Sequence, residues 1–429
     1  MPEGWGRRLS SPWTLTLLSY GLSQAVVLAG SLVRIPLITQ ALGEVGYGRF
    51  IVITSVWPAI QILAHGLAST ARVVVAEDPR RAPPTVRALR WTGTKEGAVV
   101  LVLAALLLPV LGPTIGWGFA WSVLWVGLAA VVVLPIAGHH GVLEGAGRTA
   151  ASHLALATTT VVGLPVLVLA LGLRQDLSTV VAASMVGFVA PYLTYRLLTR
   201  RLVRLREPDD GSGSGLDGVV LTGLSGAMTA WALSNVLVFL FDPVIIMATT
   251  GAAAAGQYGL ASRITGLVTA VPIALGGLLI VWFSRARTQG QGALVLRRLV
   301  SSSAVFTVVG VALAVVTIAL GPWIGQLLGR GAVGTPQELY TWLGIYGGLT
   351  CASSPLVAAW AAPRAAATRA RLGVALGIVN VALSVLLAQL MGTVGPVVAT
   401  VVCNGSVVLA LALLTWRRPA LVTRAGAGG

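Results

Sequence analysis

About twelve apolar stretches, each near the length of a bilayer-crossing helix, follow one another along this chain, and that succession leaves few folds open. A helix crosses the hydrocarbon core with about 20 apolar residues, because in lipid every backbone N–H and C=O must be satisfied within the structure itself. Hydropathy predicts spans near 12–38, 50–72, 97–112, 118–139, 153–173, 178–198, 219–249, 256–283, 299–320, 337–361, 372–391 and 394–416. Only 10% of the residues are charged and 56% are hydrophobic. A soluble domain carries roughly 25% charged residues, so a water-soluble fold is excluded. The expected fold class is an all-α polytopic membrane protein of about 12 transmembrane helices.

The charges predict which way the spans run. Of 29 cationic side chains all but Lys95 are arginine. All but five fall at the N-terminus, on every second loop or at the C-terminus, while Arg49, Arg174 and Arg330 lie on the opposite loops. An excess of Lys and Arg marks cytoplasmic loops, so both termini are expected to be cytoplasmic, with an even number of spans between them. In a soluble protein a net charge of +16 would suggest nucleic-acid binding. Here the positives face the anionic cytoplasmic leaflet, so membrane lipids are the expected partner and nucleic acid is not. Arg7-Arg8 followed by an apolar stretch could imitate a signal peptide. That stretch runs on without a convincing small-residue cleavage site, so an uncleaved first span is expected. Cys351 and Cys403 lie in apolar runs and read as packing residues rather than a disulfide or metal pair.

Near the midpoint, Glu207-Pro-Asp-Asp-Gly-Ser-Gly-Ser-Gly215 reads as a flexible linker. The expected domains are an N-terminal six-helix bundle (1–205), a cytoplasmic linker (206–217) and a C-terminal six-helix bundle (218–429). A faint repeat supports this division. Leu42-Gly-Glu-Val-Gly-Tyr-Gly48 follows span 1, and Gly251-Ala-Ala-Ala-Ala-Gly-Gln-Tyr-Gly259 follows span 7. Each Tyr-Gly is expected to open a helix that later carries a proline, Pro58 or Pro272. With six spans per half the repeat is parallel, about an axis along the membrane normal.

The run Arg34-Ile-Pro-Leu-Ile-Thr-Gln-Ala-Leu-Gly-Glu-Val-Gly-Tyr-Gly-Arg-Phe50 resembles the first-loop signature of bacterial polysaccharide-biosynthesis flippases. These belong to the multidrug/oligosaccharidyl-lipid/polysaccharide (MOP) exporter superfamily. The stretch from Asp242-Pro-Val-Ile-Ile to Gly256-Gln-Tyr-Gly-Leu-Ala-Ser-Arg263 resembles the second-half equivalent. The resemblance implies two six-helix bundles in a V around a central cavity, alternating access, and a place in the bacterial cytoplasmic membrane. It also implies an undecaprenyl-pyrophosphate-linked glycan as substrate, moved from the inner to the outer leaflet. Glycosyltransferases and a polysaccharide polymerase are the partners that such a substrate suggests.

Charges that break the topological pattern are functional candidates, since an ionisable group in hydrocarbon costs several kcal/mol. Arg34 lies roughly 12 Å inward from the turn at Leu42 that follows span 1, Arg263 roughly 9 Å into span 8 and Asp242 roughly 10 Å from the end of span 7, at 1.5 Å per residue. All three are therefore expected in one layer, lining a shared cavity. Arginine offers a planar donor fork that matches phosphate oxygens, so Arg34 and Arg263 are candidates for holding a pyrophosphate. Arg34 has the alternative of snorkelling to the interface. Asp242, with Asn235 on the same helical face, is the candidate for gating or ion coupling, either holding Arg263 until substrate arrives or binding a proton or sodium ion. A structural Asp242–Arg263 ion pair is the competing reading.

In span 2, Gln61, His65, Ser69 and Arg72 recur along one helical side and are expected to face the interior or the cavity. Arg72 is either a third phosphate ligand or an inner-end anchor, and His65 a packing residue or a proton carrier. His139 and His140 are expected at the interface. No metal site is suggested by spacing, and no P-loop is present, because Lys95 follows Gly93-Thr94 and precedes a glutamate. No cofactor is expected. The outer carboxylates Glu44, Asp176 and Glu338 are scattered over short loops, which argues against a membrane glycosyltransferase or ligase. Two other classes stay open. A drug or cation exporter of the same superfamily would want buried carboxylates, and Asp242 is the single one expected. A non-transporting subunit of a polysaccharide-assembly complex is the third.

Overall fold

The computed structural model describes residues 12–77, 81–204, 241–330, 333–361 and 363–423, and all regular structure among them is helical. The expected linker at 206–217 lies outside the described residues. The first helical run, Pro12–Glu77, has 66 residues, about 100 Å and some three times the hydrocarbon thickness. It breaks at Gly43, where φ is 64° and ψ −178°, a conformation open essentially to glycine alone. It is therefore two helices, α1 (12–42) and α2 (44–77).

After these come α3 (Ala82–Ile115) and α4 (Trp117–Val133), the latter continuing through a 3-10 turn into α5 (Gly138–Gly145). Next are α6 (Thr149–Leu156), α7 (Thr158–Leu173) and α8 (Leu177–Arg204). Beyond the undescribed stretch follow α9 (Phe241–Thr249), α10 (Ala252–Thr288), α11 (Gly292–Gly329) and α12 (Gln337–Ala359). The chain then runs through α13 (Pro363–Met391), α14 (Gly395–Arg417) and a short α15 (Ala420–Thr423). Among the described residues, 7 stretches are long and apolar enough to cross a membrane. Two of them, Leu18–Arg72 and Ala367–Arg417, contain the breaks at Gly43 and Gly392 and so hold two helices each.

Helix and hydrophobic span are not the same length. α3 has 34 residues and α11 has 38, about 51 and 57 Å. Basic residues expected on loops therefore ride on helix ends: Arg87, Arg90 and Lys95 on α3, Arg196 and Arg200 on α8, Arg297 and Arg298 on α11. Hydropathy falls where the hydrocarbon ends, whereas a helix goes on as long as its backbone bonds are made.

The described residues pack as two compact units. One takes α1, α2 from Val56 onward, and α3 to α8; the other takes Gly43–Ser55 and α9 to α15. Both are apolar on the outside. In the first unit Leu103, Leu106 and Val110 of α3 are exposed, and in the second Val300, Val308 and Leu327 of α11. Some polar side chains are buried, and their hydroxyls bond back to the preceding helical turn, as Ser184 does to the Val180 carbonyl (2.8 Å) and Thr317 to Leu313 (2.9 Å). In the second unit Phe283, Leu299, Trp360, Leu411 and Val422 form one buried cluster, and the Trp360 indole donates to Thr415 Oγ1 at 2.7 Å. Arg287, which the charge pattern groups with the cytoplasmic positives, is buried beside that cluster. It donates to the carbonyls of Ala359 (3.0 Å) and Val422 (3.3 Å) and so ties the end of α12 to α15.

The two Tyr-Gly stretches do not open their helices. Tyr47 and Gly48 lie inside α2, past the break at Gly43, while Tyr258 and Gly259 lie in the second turn of α10, past Gly251 (φ 106°). Their glycines serve close packing instead. A Cβ on Gly48 would sit 1.7 Å from the Ala252 carbonyl oxygen, and one on Gly259 would sit 2.4 Å from the Ile51 side chain. Gln257 Nε2 donates to Glu44 Oε1 at 3.3 Å across the same crossing. Small residues let helix backbones approach in this way where lipid supplies no hydrophobic drive for association.

Candidate functional site

In the first unit, Arg34 of α1 is half-buried, with its guanidinium 5.0 Å from the centroid of Phe188 on α8. Trp57 of α2 stacks on that ring at 5.2 Å and an interplanar angle of 10°. Trp57 is buried. A cation within about 6 Å of an aromatic centroid is attracted by the ring quadrupole. Arg34 is thus built against a flat aromatic pair.

Further along α2 the expected polar stripe runs from accessible to enclosed. Gln61 and His65 are exposed, Ser69 is half-buried and Arg72 is buried. Arg72 forms an ion pair with Glu144 of α5, and His140 Nε2 stands 3.3 Å from the same carboxylate. The His140 ring stacks on Tyr195 of α8 at 4.7 Å and 14°. His139 Nδ1 lies 2.7 Å from Thr199 Oγ1. Both histidines pack against α8. Glu144, which lies past the end of span 4, is a second carboxylate with a largely enclosed side chain, 9% exposed. Helix α5 runs on to Gly145, and its i,i+4 partner His140 was the available signal.

In the second unit, Asp242 is 1% exposed. Its carboxylate accepts hydrogen bonds from Thr400 Oγ1 (3.1 Å), Ser384 Oγ (3.4 Å) and Tyr258 OH (3.4 Å). Thr400 Oγ1 also lies 3.5 Å from Asn380 Oδ1. Four helices, α9, α10, α13 and α14, thus contribute to one oxygen-lined enclosure around a single negative group. Asn235 lies outside the described residues.

Arg263 is not part of that enclosure. Its Nη2 donates to Thr54 Oγ1 at 3.4 Å, and its guanidinium lies 5.5 Å from the Phe50 centroid. Phe50 stacks on Tyr47 at 6.2 Å and 25°. The ion pair expected between Asp242 and Arg263 is therefore not formed, since each has other partners. The depth estimate shifts for the same reason. α10 begins at Ala252, four alanines before the Gly256 at which hydropathy opened the span, so Arg263 is one turn further from its helix end. Alanine is the best helix former, and the Ala252–Ala255 run starts the helix early. Among the described residues, no group of three or more His, Cys, Asp or Glu side chains is placed to hold a metal ion.

No known protein family and no curated protein matches the sequence. Solved structures do match its fold. One is an outward-facing multidrug-resistance MATE-family transporter of the MOP superfamily, at TM-score 0.73 and 14% identity over 96% of this chain and 97% of that one. An inward-facing MATE-family transporter matches at TM-score 0.67 and 15% identity over 94% and 95% of the two chains. A MOP-superfamily transporter from Pyrococcus furiosus matches at TM-score 0.71 and 14% identity over 96% and 97%. The protein therefore has the all-α, polytopic fold of MATE-type transporters of the MOP superfamily.

Proposed function

We propose that this protein is an ion-coupled, alternating-access transporter of an anionic lipid-linked substrate. In this reading it flips an undecaprenyl-pyrophosphate-linked oligosaccharide from the inner to the outer leaflet, with Arg34 and Arg263 meeting the phosphates. The observation that supports an anionic cargo is Arg263. It stands in a membrane helix against Thr54 and Phe50, and among the described residues no carboxylate lies within ion-pair distance of it. A membrane-embedded cation without a fixed counter-ion is costly unless a ligand or water compensates it. Arg72 is the weaker phosphate ligand, because Glu144 already neutralises it. The Pyrococcus furiosus transporter of similar fold is described as having a binding pocket of reverse polarity that suggests a different function. Pockets of more than one polarity are thus compatible with this fold.

In a reconstituted flipping assay, Arg34→Ala and Arg263→Ala are each expected to abolish translocation of the lipid-linked glycan at unchanged protein level. Normal translocation by both variants sinks the anionic reading.

Asp242 is the candidate coupling site. Carboxylate and hydroxyl oxygens are the ligands a hard cation prefers, and a proton on the carboxylate would satisfy the same enclosure. Asp242→Asn keeps the shape and removes the charge. Transport by this variant is expected to lose its dependence on the driving sodium or proton gradient, and an unchanged dependence rules the role out.

A second reading, an ion-coupled drug or cation antiporter, is favoured by the names of the matched MATE structures. Under it Asp242 would bind cationic drug and coupling ion in turn. Gradient-driven efflux of a lipophilic cation such as tetraphenylphosphonium, lost in Asp242→Asn and retained in Arg263→Ala, would select this reading over the first.

A further inference from the structure

Three helices of the first unit meet at the end that carries their basic residues. The Leu89 side chain of α3 lies 3.4 Å from where a Cβ on Gly138 of α5 would stand, and the next residue, His139, has its Nδ1 2.7 Å from Thr199 Oγ1 of α8. Leu89 and Thr199 are buried, whereas Arg90, one residue on, and Arg196, one turn back, are exposed. The packing of α3 and α8 on α5 thus gathers two guanidinium groups from different helices, and the charges of both bear on the His139 imidazole. No carboxylate is among the charges that do so. On these three helices the described acids are Glu96 and Glu144. Glu144 is held by Arg72 and His140, and Glu96 stands roughly 9 Å further along α3 than Arg90. Trp91 is 65% exposed, with Lys95 Nζ 4.8 Å from its ring centroid. Tryptophan gathers at the level of lipid headgroups, which puts Arg90 at the depth of their phosphates. From there toward the middle of the spans both helices expose apolar side chains, Val99 and Leu103 on α3 and Val186 and Leu193 on α8.

We infer that Arg90 and Arg196 form a binding site for an anionic phospholipid of the cytoplasmic leaflet, its phosphate met by both side chains and its acyl chains lying along α3 and α8. The site is contained in the first unit and holds whatever the protein transports. Guanidinium groups suit phosphate oxygens in charge and in donor geometry. Basic pockets between membrane helices take up anionic headgroups on the cytoplasmic side, to which the arginine excess assigns this end. A zwitterionic headgroup would bring an ammonium group as well, and no carboxylate stands with the two arginines to receive it. Basic residues scattered on loops attract anionic lipid without a fixed site. These two are set by helices that the Leu89–Gly138 and His139–Thr199 contacts hold together.

The test uses the full chain in detergent, with dioleoylphosphatidylglycerol as the probe and dioleoylphosphatidylcholine as its zwitterionic counterpart. Native mass spectrometry gives the dissociation constant of the first lipid bound, and the thermal midpoint is taken without lipid. Arg90→Gln and Arg196→Gln are each expected to weaken phosphatidylglycerol about fivefold, the scale of one cationic side chain near an anionic surface, and the pair together about 25-fold. Both side chains are exposed, so the lipid-free midpoint should stay that of wild type. The Arg90→Lys/Arg196→Lys pair keeps the charge and should retain most of the binding, which separates a lost charge from a lost fold. Arg297→Gln/Arg298→Gln removes two exposed charges from α11 of the second unit and should leave the first lipid bound as before. Equal weakening by this control, or wild-type binding by the Arg90→Gln/Arg196→Gln pair, would reveal a diffuse attraction to basic charge and overturn the inference. Phosphatidylcholine bound as tightly as phosphatidylglycerol overturns it too. Farnesyl diphosphate bound more tightly than phosphatidylglycerol, and lost in the same pair, would give the site to a transported diphosphate lipid and overturn it as well.

Discussion

Glu144→Ala is expected to destabilise the first unit by about 3–5 kcal/mol, the cost of leaving a buried charge without its partner. Arg72 and Glu144 are only 11% and 9% exposed at their side chains, and they meet in a direct ion pair. Truncating the acid leaves the largely enclosed Arg72 guanidinium without its carboxylate partner. The pair itself need not be a net source of stability, since desolvating two charges offsets most of their attraction. The double variant Arg72→Met/Glu144→Leu should therefore recover most of the loss, while each single change is severe. The thermal midpoint in detergent reads this directly. A midpoint for Glu144→Ala close to wild type would show that the guanidinium finds water or another acceptor. The double variant also settles the role of Arg72. Retained transport makes Arg72 a structural partner of Glu144, whereas lost transport at a normal midpoint makes it a phosphate ligand.

Gly48→Val is expected to prevent recovery of folded protein altogether, and Gly48→Ala to cost about 1–3 kcal/mol or more through overpacking. The Cβ of either side chain would lie 1.7 Å from the Ala252 carbonyl oxygen, which is backbone and cannot rotate away. Relief requires the start of α10 to move, and the contacts of Gly256 with Glu44 and of Gly259 with Ile51 move with it. Gly21→Ala is the matched control. Nothing lies within 4 Å of its Cβ position, and an alanine in an exposed helix gains up to about 1 kcal/mol over glycine. The yield of monodisperse protein and the thermal midpoint of the three variants check the argument. Normal yield of Gly48→Val would mean that the helices at this crossing can separate to admit a side chain.

The sequence marked both arginines and Asp242 as exceptions, because each sits in an apolar run where a charge is expensive. It did not show what each exception touches. Phe188 is far from Arg34 in the chain, and Phe50 is far from Arg263, so no local spacing links an arginine to its ring. Asp242 and Arg263 looked like natural partners by sign and depth. The structure gives the aspartate to Thr400, Ser384 and Tyr258 instead, and the arginine to Thr54 and Phe50. Hydroxyl groups on α13 and α14 carry no signature among the many Ser and Thr residues of membrane helices that bond to their own backbone. Glu144 was hidden for another reason. It lies just past the drop in hydropathy that ended span 4, and only helix α5 carries it back into the packed unit.

By itself the sequence determined that the chain is a series of apolar helices and which charges break the pattern. Transfer into lipid is a property of single segments, additive along the chain and independent of neighbours. The tertiary structure alone decided which charge is neutralised, which is stacked and which is enclosed by hydroxyls. Those outcomes depend on contacts between helices remote in sequence, and the energy of a buried charge is set almost entirely by what lies within a few ångströms of it.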